Sequence, residues 1–363
     1  MIYRNVRNLT TYERLHLEKP ENIKHKIMII PDFHLVVRNP DNRFNYIEES
    51  LNYLDKIIQL IQDQKITTLI FLGDIFDRGF RVVKMDYLNK LETKFKTIET
   101  LCKIYTLVGN HEITYARDNP FYRMVELTGE AKSLTSTIQK PDEILNIIQA
   151  VDYVDFDNNV RFVFNHFSKY PTKSKFIDEN KINIGLFHHD LVSFESKMEL
   201  YHHKIGEGIN LMNTDILEGY KCIINGHIHT PINDMCIKDV DFINTGSIMR
   251  RTSKEIHDFV ELPIISITDE ECIIDKTTFE LIPMEESFIM DIVDEERESR
   301  TLKKTLKSYS LHTMAEDFED FVDKIDNEFI KFVLLNSDKD FTLNSLKEYI
   351  KLYNIKETDI NER

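Results

Sequence analysis

Five apolar runs in this chain each end in a short segment rich in oxygen and nitrogen donors, and that coupling narrows the folds open to it more than any other feature. The runs at 26–30, 68–72, 104–108, 183–187 and 221–225 read as buried β-strands. The segments that follow are Asp32-Phe33-His34, Gly73-Asp74-Ile75-Phe76-Asp77-Arg78, Gly109-Asn110-His111-Glu112, His188-His189-Asp190 and Gly226-His227-Ile228-His229. If the strands lie side by side in one sheet, the five tips converge at its edge, where open α/β sheets place their ligand sites. A chain of this kind is expected to be a metalloenzyme.

The donor chemistry sharpens that expectation. In Asp32-x-His34 and His227-x-His229 two donors sit two residues apart, so in extended backbone both side chains point the same way. Asp32, His34, Asp74, Asn110, His188, His227 and His229 together offer seven oxygen and nitrogen donors without a cysteine, more than one tetrahedral zinc takes. A mixture of imidazole, carboxylate and carboxamide suits two divalent ions about 3.5–4 Å apart with one carboxylate bridging them. Manganese is the first choice, with zinc or iron as alternatives. Such a pair generates hydroxide and clamps a phosphate.

Over roughly residues 26–250, the ordered motifs D-x-H, G-D-x-x-D-R, G-N-H-E, H and G-H-x-H resemble those of the calcineurin-like metallophosphoesterases. The resemblance implies that Asp32, His34 and His229 bind one ion, that Asn110, His188 and His227 bind the other, and that Asp74 bridges them. It implies further that His111 contacts the scissile phosphate and protonates the leaving oxygen, with Asp77 orienting its imidazole. Asn110 would also face the substrate.

Arg78 is weighed separately. Gly-Asp-x-x-Asp-Arg-Gly, complete here with Gly79, is the form found in the serine/threonine phosphatase branch, where the arginine is expected to grip the phosphate through two donors. That branch has Gly-Asp-x-His-Gly as its first motif, whereas this chain has Pro31-Asp32-Phe33-His34-Leu35. The stretch from Ile113 to Phe121, the Gly246-Ser247 turn leading to Arg250-Arg251, and the run from Phe279 to Ile292 that looks like a strand leaving for a cap all resemble SbcD-like DNA-repair nucleases and their phage relatives. Asp77 departs from that likeness, since those nucleases usually place a histidine there. The preferred reading is therefore a phosphodiesterase acting on DNA through metal-bound hydroxide. The alternative is a phosphomonoesterase, either serine/threonine-protein-phosphatase-like or specific for small molecules.

Other histidines have plainer readings. His16, His25, His257 and His312 are expected on the surface or in the core, and His166 as a hydrogen-bonded residue at a strand end. His202 and His203, before Gly206-Glu207-Gly208, are ambiguous between solvent and the substrate rim. Of His188 and His189, alternation lets only one face the metals, and His188 comes first after the apolar run.

At 363 residues the chain can hold one large catalytic domain and a smaller appendage. Its net charge of −16 and lack of a basic tail argue against tight autonomous DNA binding. Lys169 to Lys175 and the pair Arg250-Arg251 are the local candidates for contacts with nucleic-acid phosphates, with solvated loops as the plain alternative. Cys102, Cys222, Cys236 and Cys272 lie apart in apolar stretches, the pattern of reduced thiols in a cytoplasmic protein. No apolar stretch reaches the length of a signal peptide or a membrane span.

The expected fold is α/β, a four-layer αββα sandwich of two mixed sheets with a small C-terminal helical appendage. Ile47, Leu51, Leu54, Ile58 and Ile61 mark a helix between the first two strands, and another helix is expected from Met85 to Cys102. The domain reading is an N-terminal extension (1–25), a catalytic domain (26–284) and an acidic helical region (285–363). In the last of these, Phe318, Phe321, Ile325, Phe329 and Phe332 form one apolar stripe and Leu343, Leu346, Ile350 and Tyr353 another. They suit self-packing or, as the nuclease resemblance implies, docking to the coiled coil of an ATPase partner.

Overall fold

The architecture comes from a computed structural model of the chain, which describes residues 1–6, 22–36, 39–40, 42–77, 85–114, 125–127, 148–168, 171–192, 209–211, 215–252, 255 and 257–290. The strands are β1 (Ile2–Asn5), β2 (His25–Ile30), β3 (Thr68–Phe71), β4 (Lys103–Thr106), β5 (Val125–Leu127), β6 (Ile148–Ala150), β7 (Tyr153–Phe156), β8 (Val160–Asn165), β9 (Ile182–His188), β10 (Leu191–Val192), β11 (Ile209–Asn210), β12 (Cys222–Gly226), β13 (Ile232–Ile237), β14 (Val240–Asn244), β15 (Phe259–Ile267) and β16 (Glu271–Glu280). The helices are α1 (Tyr46–Gln64), α2 (Met85–Leu101), α3 (Asn110–Thr114) and α4 (Met284–Ser287). The chain divides into two compact units, Met1–Ser287 and Phe288–Arg363, and all of these elements belong to the first.

The fold is α/β with two mixed sheets. One has eight strands in the order β1-β16-β15-β2-β3-β4-β6-β5, and the other has six in the order β13-β14-β12-β9-β8-β7. Period-two burial explains the stacking. In β2, Ile27 and Ile29 join the core between the sheets, while Met28 and Ile30 point to the opposite core. There they meet Leu51, Leu54, Ile57 and Ile61 of α1 and Leu91, Phe95 and Ile98 of α2. In β12, Cys222 and Ile224 face the first sheet, whereas Ile223 packs outward with Leu211, Ile216, Leu217 and Tyr220.

The five donor-tipped strands do not share one sheet. β2, β3 and β4 lie in the eight-stranded sheet, and β9 and β12 in the six-stranded one. β3 and β12 are buried on both faces, and β2 and β9 over most of their length, so such apolar runs suit either sheet equally. Two further elements differ from expectation. Ile2 to Asn5, in the unread N-terminal segment, add a parallel edge strand beside β16. Phe279, expected at the start of a strand leaving for a cap, pairs with Val260 inside the sheet.

Arg250 differs as well. Instead of facing a phosphate or solvent it is fully buried, donating to the carbonyl of Ile282. Behind it, buried Arg43 donates to the Glu49 carboxylate, to the Arg250 carbonyl and, at 3.1 Å, to the Ser287 carbonyl. Removing one member of a buried charge pair strands the other. Arg43→Ala is therefore expected to cost about 3–5 kcal/mol in denaturant unfolding, far more than an exposed pair would. Among the described residues, no helix is long and apolar enough to cross a membrane.

Candidate metal centre

The parallel strands β2, β3 and β4 of one sheet and β9 and β12 of the other end at a common edge, and the donor segments leave from there. Asp32 and His34 follow β2, Asp74 follows β3, and Asn110 opens α3 after β4. His188 closes β9, and His227 comes directly after β12. The backbone turns sharply at three of these positions: His34, Asp74 and His227 have φ of 49°, 47° and 71°. Non-glycine residues seldom occupy this left-handed region, and such strain collects at functional sites. The x-spaced pairs are thus not extended as expected. His227 and His229 diverge, each joining a different cluster.

Asp32, His34 and His229 form one triad and Asp74, His188 and His227 another, with the donor atoms of each triad within 4.8 Å of one another. His34 Nε2 lies 2.9 Å from His229 Nε2. A single oxygen of Asp74, Oδ2, stands 3.8 Å from His34 Nε2, 3.3 Å from His188 Nε2 and 3.8 Å from His111 Nε2. Asn110 Oδ1 is 3.0 Å from His188 Nε2. All seven expected ligands therefore converge, with Asp74, a member of the second triad, also reaching His34 of the first. Arg78, the Ile113–Phe121 loop beyond Thr114, His16, His202, His203, His312 and the C-terminal stripes lie outside the described residues.

Burial and charge make this a site that suits cations. Asp32, His34, Asp74 and His188 are all buried. Burial opposes charge on Asp74, but His188, His34 and His111 outweigh it and hold the carboxyl well below its usual range. Burial likewise lowers His188, yet Asp74 and Asp32 lift it to about 10. Burial, aided by the His229 charge, pushes His34 well below the ordinary imidazole value. A nitrogen and oxygen donor set of this kind, with acidic groups crowded against imidazoles out of water, fits divalent cations that take the place of the shared protons.

A surrounding set of groups aims the donors. His188 Nδ1 lies 2.6 Å from the Leu72 carbonyl, which can only accept, so its proton sits there and Nε2 faces the centre. His229 Nδ1 lies 3.3 Å from Glu255 Oε1, and His227 Nε2 lies 3.3 Å from Asp190 Oδ1. The Ser247 hydroxyl donates to the Asp32 carbonyl at 3.0 Å, and its N–H to that of His229 at 2.9 Å, tying the first and last motifs together. Buried Glu112 accepts the N–H groups of Asp74 (2.9 Å) and Gly109 (2.7 Å). Burial and the Asp74 charge push its carboxyl up to about 8.

His111 lies between Asp74 and Asp77. Its Nε2 faces Asp74, and its Nδ1 is 2.8 Å from Asp77 Oδ1, close but off the line of the ring N–H. Asp77 in turn meets Arg251 Nη2 at 3.0 and 3.1 Å. The sequence reading named Arg251 only as a phosphate-contact candidate and did not find Glu255 or Asp190 as supports. Asp190 stands in the donor segment after β9 without a role assigned to it, and nothing in the local pattern marks Glu255, which is joined to its histidine through space.

The neighbouring histidines follow their plain readings. His189 turns from the centre, stacks on Phe167 and accepts the Ser168 N–H through Nε2 at 3.1 Å. His166 accepts the Val108 N–H through Nδ1 at 3.1 Å, and burial lowers it to about 4. His257 Nε2 lies 3.2 Å from the Ser247 carbonyl.

Two glycines let the carboxylates lie this close. A Cβ on Gly226 would fall 2.9 Å from Asp32 Oδ2, and one on Gly109 only 2.2 Å from Asp74 Oδ1. Gly109→Ala is expected to displace Asp74, lowering both manganese content and turnover, the latter by on the order of a hundredfold. Metal analysis beside a steady-state assay checks this.

The model of the family described as calcineurin-like phosphoesterase matches residues 25–231. Among solved structures, the chain is similar to a dimetal phosphatase from Danio rerio, with 12% identity, 72% of this chain and 100% of that one covered, and a TM-score of 0.41. It is similar to a hypothetical protein from Thermus thermophilus, with 11% identity, 71% and 100% covered, and a TM-score of 0.37. It is also similar to GAP50, described as the anchor in the inner membrane complex of Plasmodium, with 12% identity, 72% and 89% covered, and a TM-score of 0.37. No curated protein sequence matches the chain.

Proposed function

Since the chain belongs to the calcineurin-like phosphoesterase family and is a metal-dependent phosphoesterase, we propose that its substrate is a nucleic-acid phosphodiester, DNA first. The observation that carries the proposal is the meeting of two donor triads around Asp74 Oδ2. Asp32, His34 and His229 would hold one divalent ion, Asn110, His188 and His227 the other, and Asp74 would serve both. When bound, the ions supply a nucleophile at neutral pH and neutralise charge on the phosphate, with manganese the first candidate.

The protein's own groups do the rest. Leu72, Glu255 and Asp190 fix the imidazole orientations. His111 Nε2, facing the centre, is placed to protonate the departing oxygen, and Asp77 orients the ring. On the side to which His189 turns, a cavity of about 340 Å³ is lined by Phe164, His166, Ser168, Thr172, Lys173 and Lys175. Its hydroxyl and ammonium groups would suit the backbone phosphates of a bound strand. Lys173 also pairs with Glu218 at 2.8 Å, so it carries only part of this role. With a net charge of −16, a basic partner supplying further affinity is consistent with the reading, and the apolar stripes expected from the sequence from Phe318 onward would be the place for it.

A phosphomonoester is the second reading. The contact of Asp77 with His111 favours it, because the nucleases usually have a histidine where Asp77 stands. Manganese-dependent turnover of single-stranded DNA, double-stranded DNA and p-nitrophenyl phosphate separates the two. DNA cleavage that Asp74→Asn abolishes supports the nuclease. Turnover of the monoester alone overturns it in favour of a phosphatase.

A further inference from the structure

We infer that Arg251 is a positioning residue for protonation of the leaving group, acting through Asp77 on His111; this rests on the phosphoesterase reading. Arg251 is held at both ends. Its Nη2 meets both oxygens of Asp77, at 3.0 and 3.1 Å. Its main-chain N–H donates to Glu255 Oε2 at 2.9 Å, and the other oxygen of Glu255 lies 3.3 Å from Nδ1 of His229. One residue thus braces the carboxylate facing the acid and the carboxylate facing a metal-ligating histidine.

The geometry explains why the acid needs it. Asp77 is partly exposed, at 17% for its side chain, and sits on the segment after β3 rather than within a strand. A carboxylate there can turn about its terminal torsion, a broad well with little intrinsic preference. A guanidinium engaging both oxygens removes that freedom and leaves Oδ1 at 2.8 Å from His111 Nδ1. The contact lies off the line of the ring N–H, so Asp77 acts on His111 as a fixed charge that favours the proton on Nδ1 and leaves Nε2 toward the centre. When the P–O bond breaks, the proton on Nε2 moves to the departing oxygen, the ring is left neutral, and Nδ1 keeps its proton against Asp77. A lysine in place of Arg251 supplies charge from a shorter, more freely turning stem, so it should restore the function only in part.

The test uses the full-length chain, loaded with manganese, as wild type, Arg251→Met and Arg251→Lys. Each is assayed on p-nitrophenyl esters, whose leaving group departs without a proton, and on alkyl esters, whose leaving group requires one. Both classes are compared as diesters and as monoesters. Arg251→Met is expected to lose on the order of tenfold more kcat on the alkyl than on the aryl ester, with manganese content retained. Arg251→Lys is expected to recover part of that difference. Nitrogen NMR of the metal-free chain should show His111 protonated at Nδ1 in the wild type and a mixed tautomer population in Arg251→Met. Equal losses on the two esters would instead place Arg251 on the substrate phosphate. That result, loss of manganese, or an unchanged tautomer each overturns the assignment. A wild type that cleaves neither ester defeats the phosphoesterase reading itself, while the NMR comparison still decides the role of Arg251.

Discussion

The Asp74→Asn protein is expected to fold as the wild type does, to bind fewer than two manganese ions and to lose turnover by on the order of a thousandfold or more. The effect is large because one oxygen of Asp74 lies within 4 Å of nitrogens from His34, His188 and His111, so it serves both triads at once. The substitution is clean because asparagine tolerates the left-handed backbone almost as well as aspartate, and φ is 47° here. Main-chain bonds are kept too, since the Asp74 carbonyl that accepts the N–H groups of Phe33 and His34 is untouched. What is lost is a buried negative charge whose one oxygen stands against Nε2 of both His34 and His188. Metal analysis, turnover and thermal unfolding measured together check this, and a folded variant with two bound ions and wild-type turnover would contradict it.

His111→Asn should behave in the opposite way, keeping its metal while kcat falls by roughly 10²–10⁴-fold. The bond that His111 gives to Asp74 Oδ1 comes from its main-chain N–H, at 2.9 Å, and asparagine at the same position in α3 retains it. The imidazole lies outside the two triads that meet at Asp74, grouping instead with His34 and Asp77, and its nitrogens face Asp74 on one side and Asp77 on the other. Losing it removes a proton donor from the centre without removing a ligand. Parallel metal analysis and single-turnover kinetics check the split between binding and chemistry. Unchanged turnover would remove His111 from the role of acid.

Much of this cluster is legible along the chain because its donors sit where apolar strands end. An isoleucine-rich run such as Ile27 to Ile30 followed by Asp32 and His34 declares both a buried strand and the donors at its tip. How the strands divide between two sheets is less legible, since Ile29 and Ile224 meet in the same inter-sheet core although their strands belong to different sheets. The left-handed turns at His34, Asp74 and His227 also escape a reading based on strand alternation, for nothing local marks a histidine that will be forced to positive φ. The supports are hardest of all. Glu255 meets His229 from 26 residues away and Arg251 meets Asp77 across 174, and such pairings arise only once both sheets are assembled.

Two triads meeting at Asp74 are expected to hold two ions as a single centre, and electron paramagnetic resonance of the full-length chain titrated with manganese tests this most directly. Two ions per chain with a spin-coupled spectrum, and loss of the coupling in Asp74→Asn, is the result predicted. A stoichiometry of one, or two ions that remain magnetically independent, would contradict it.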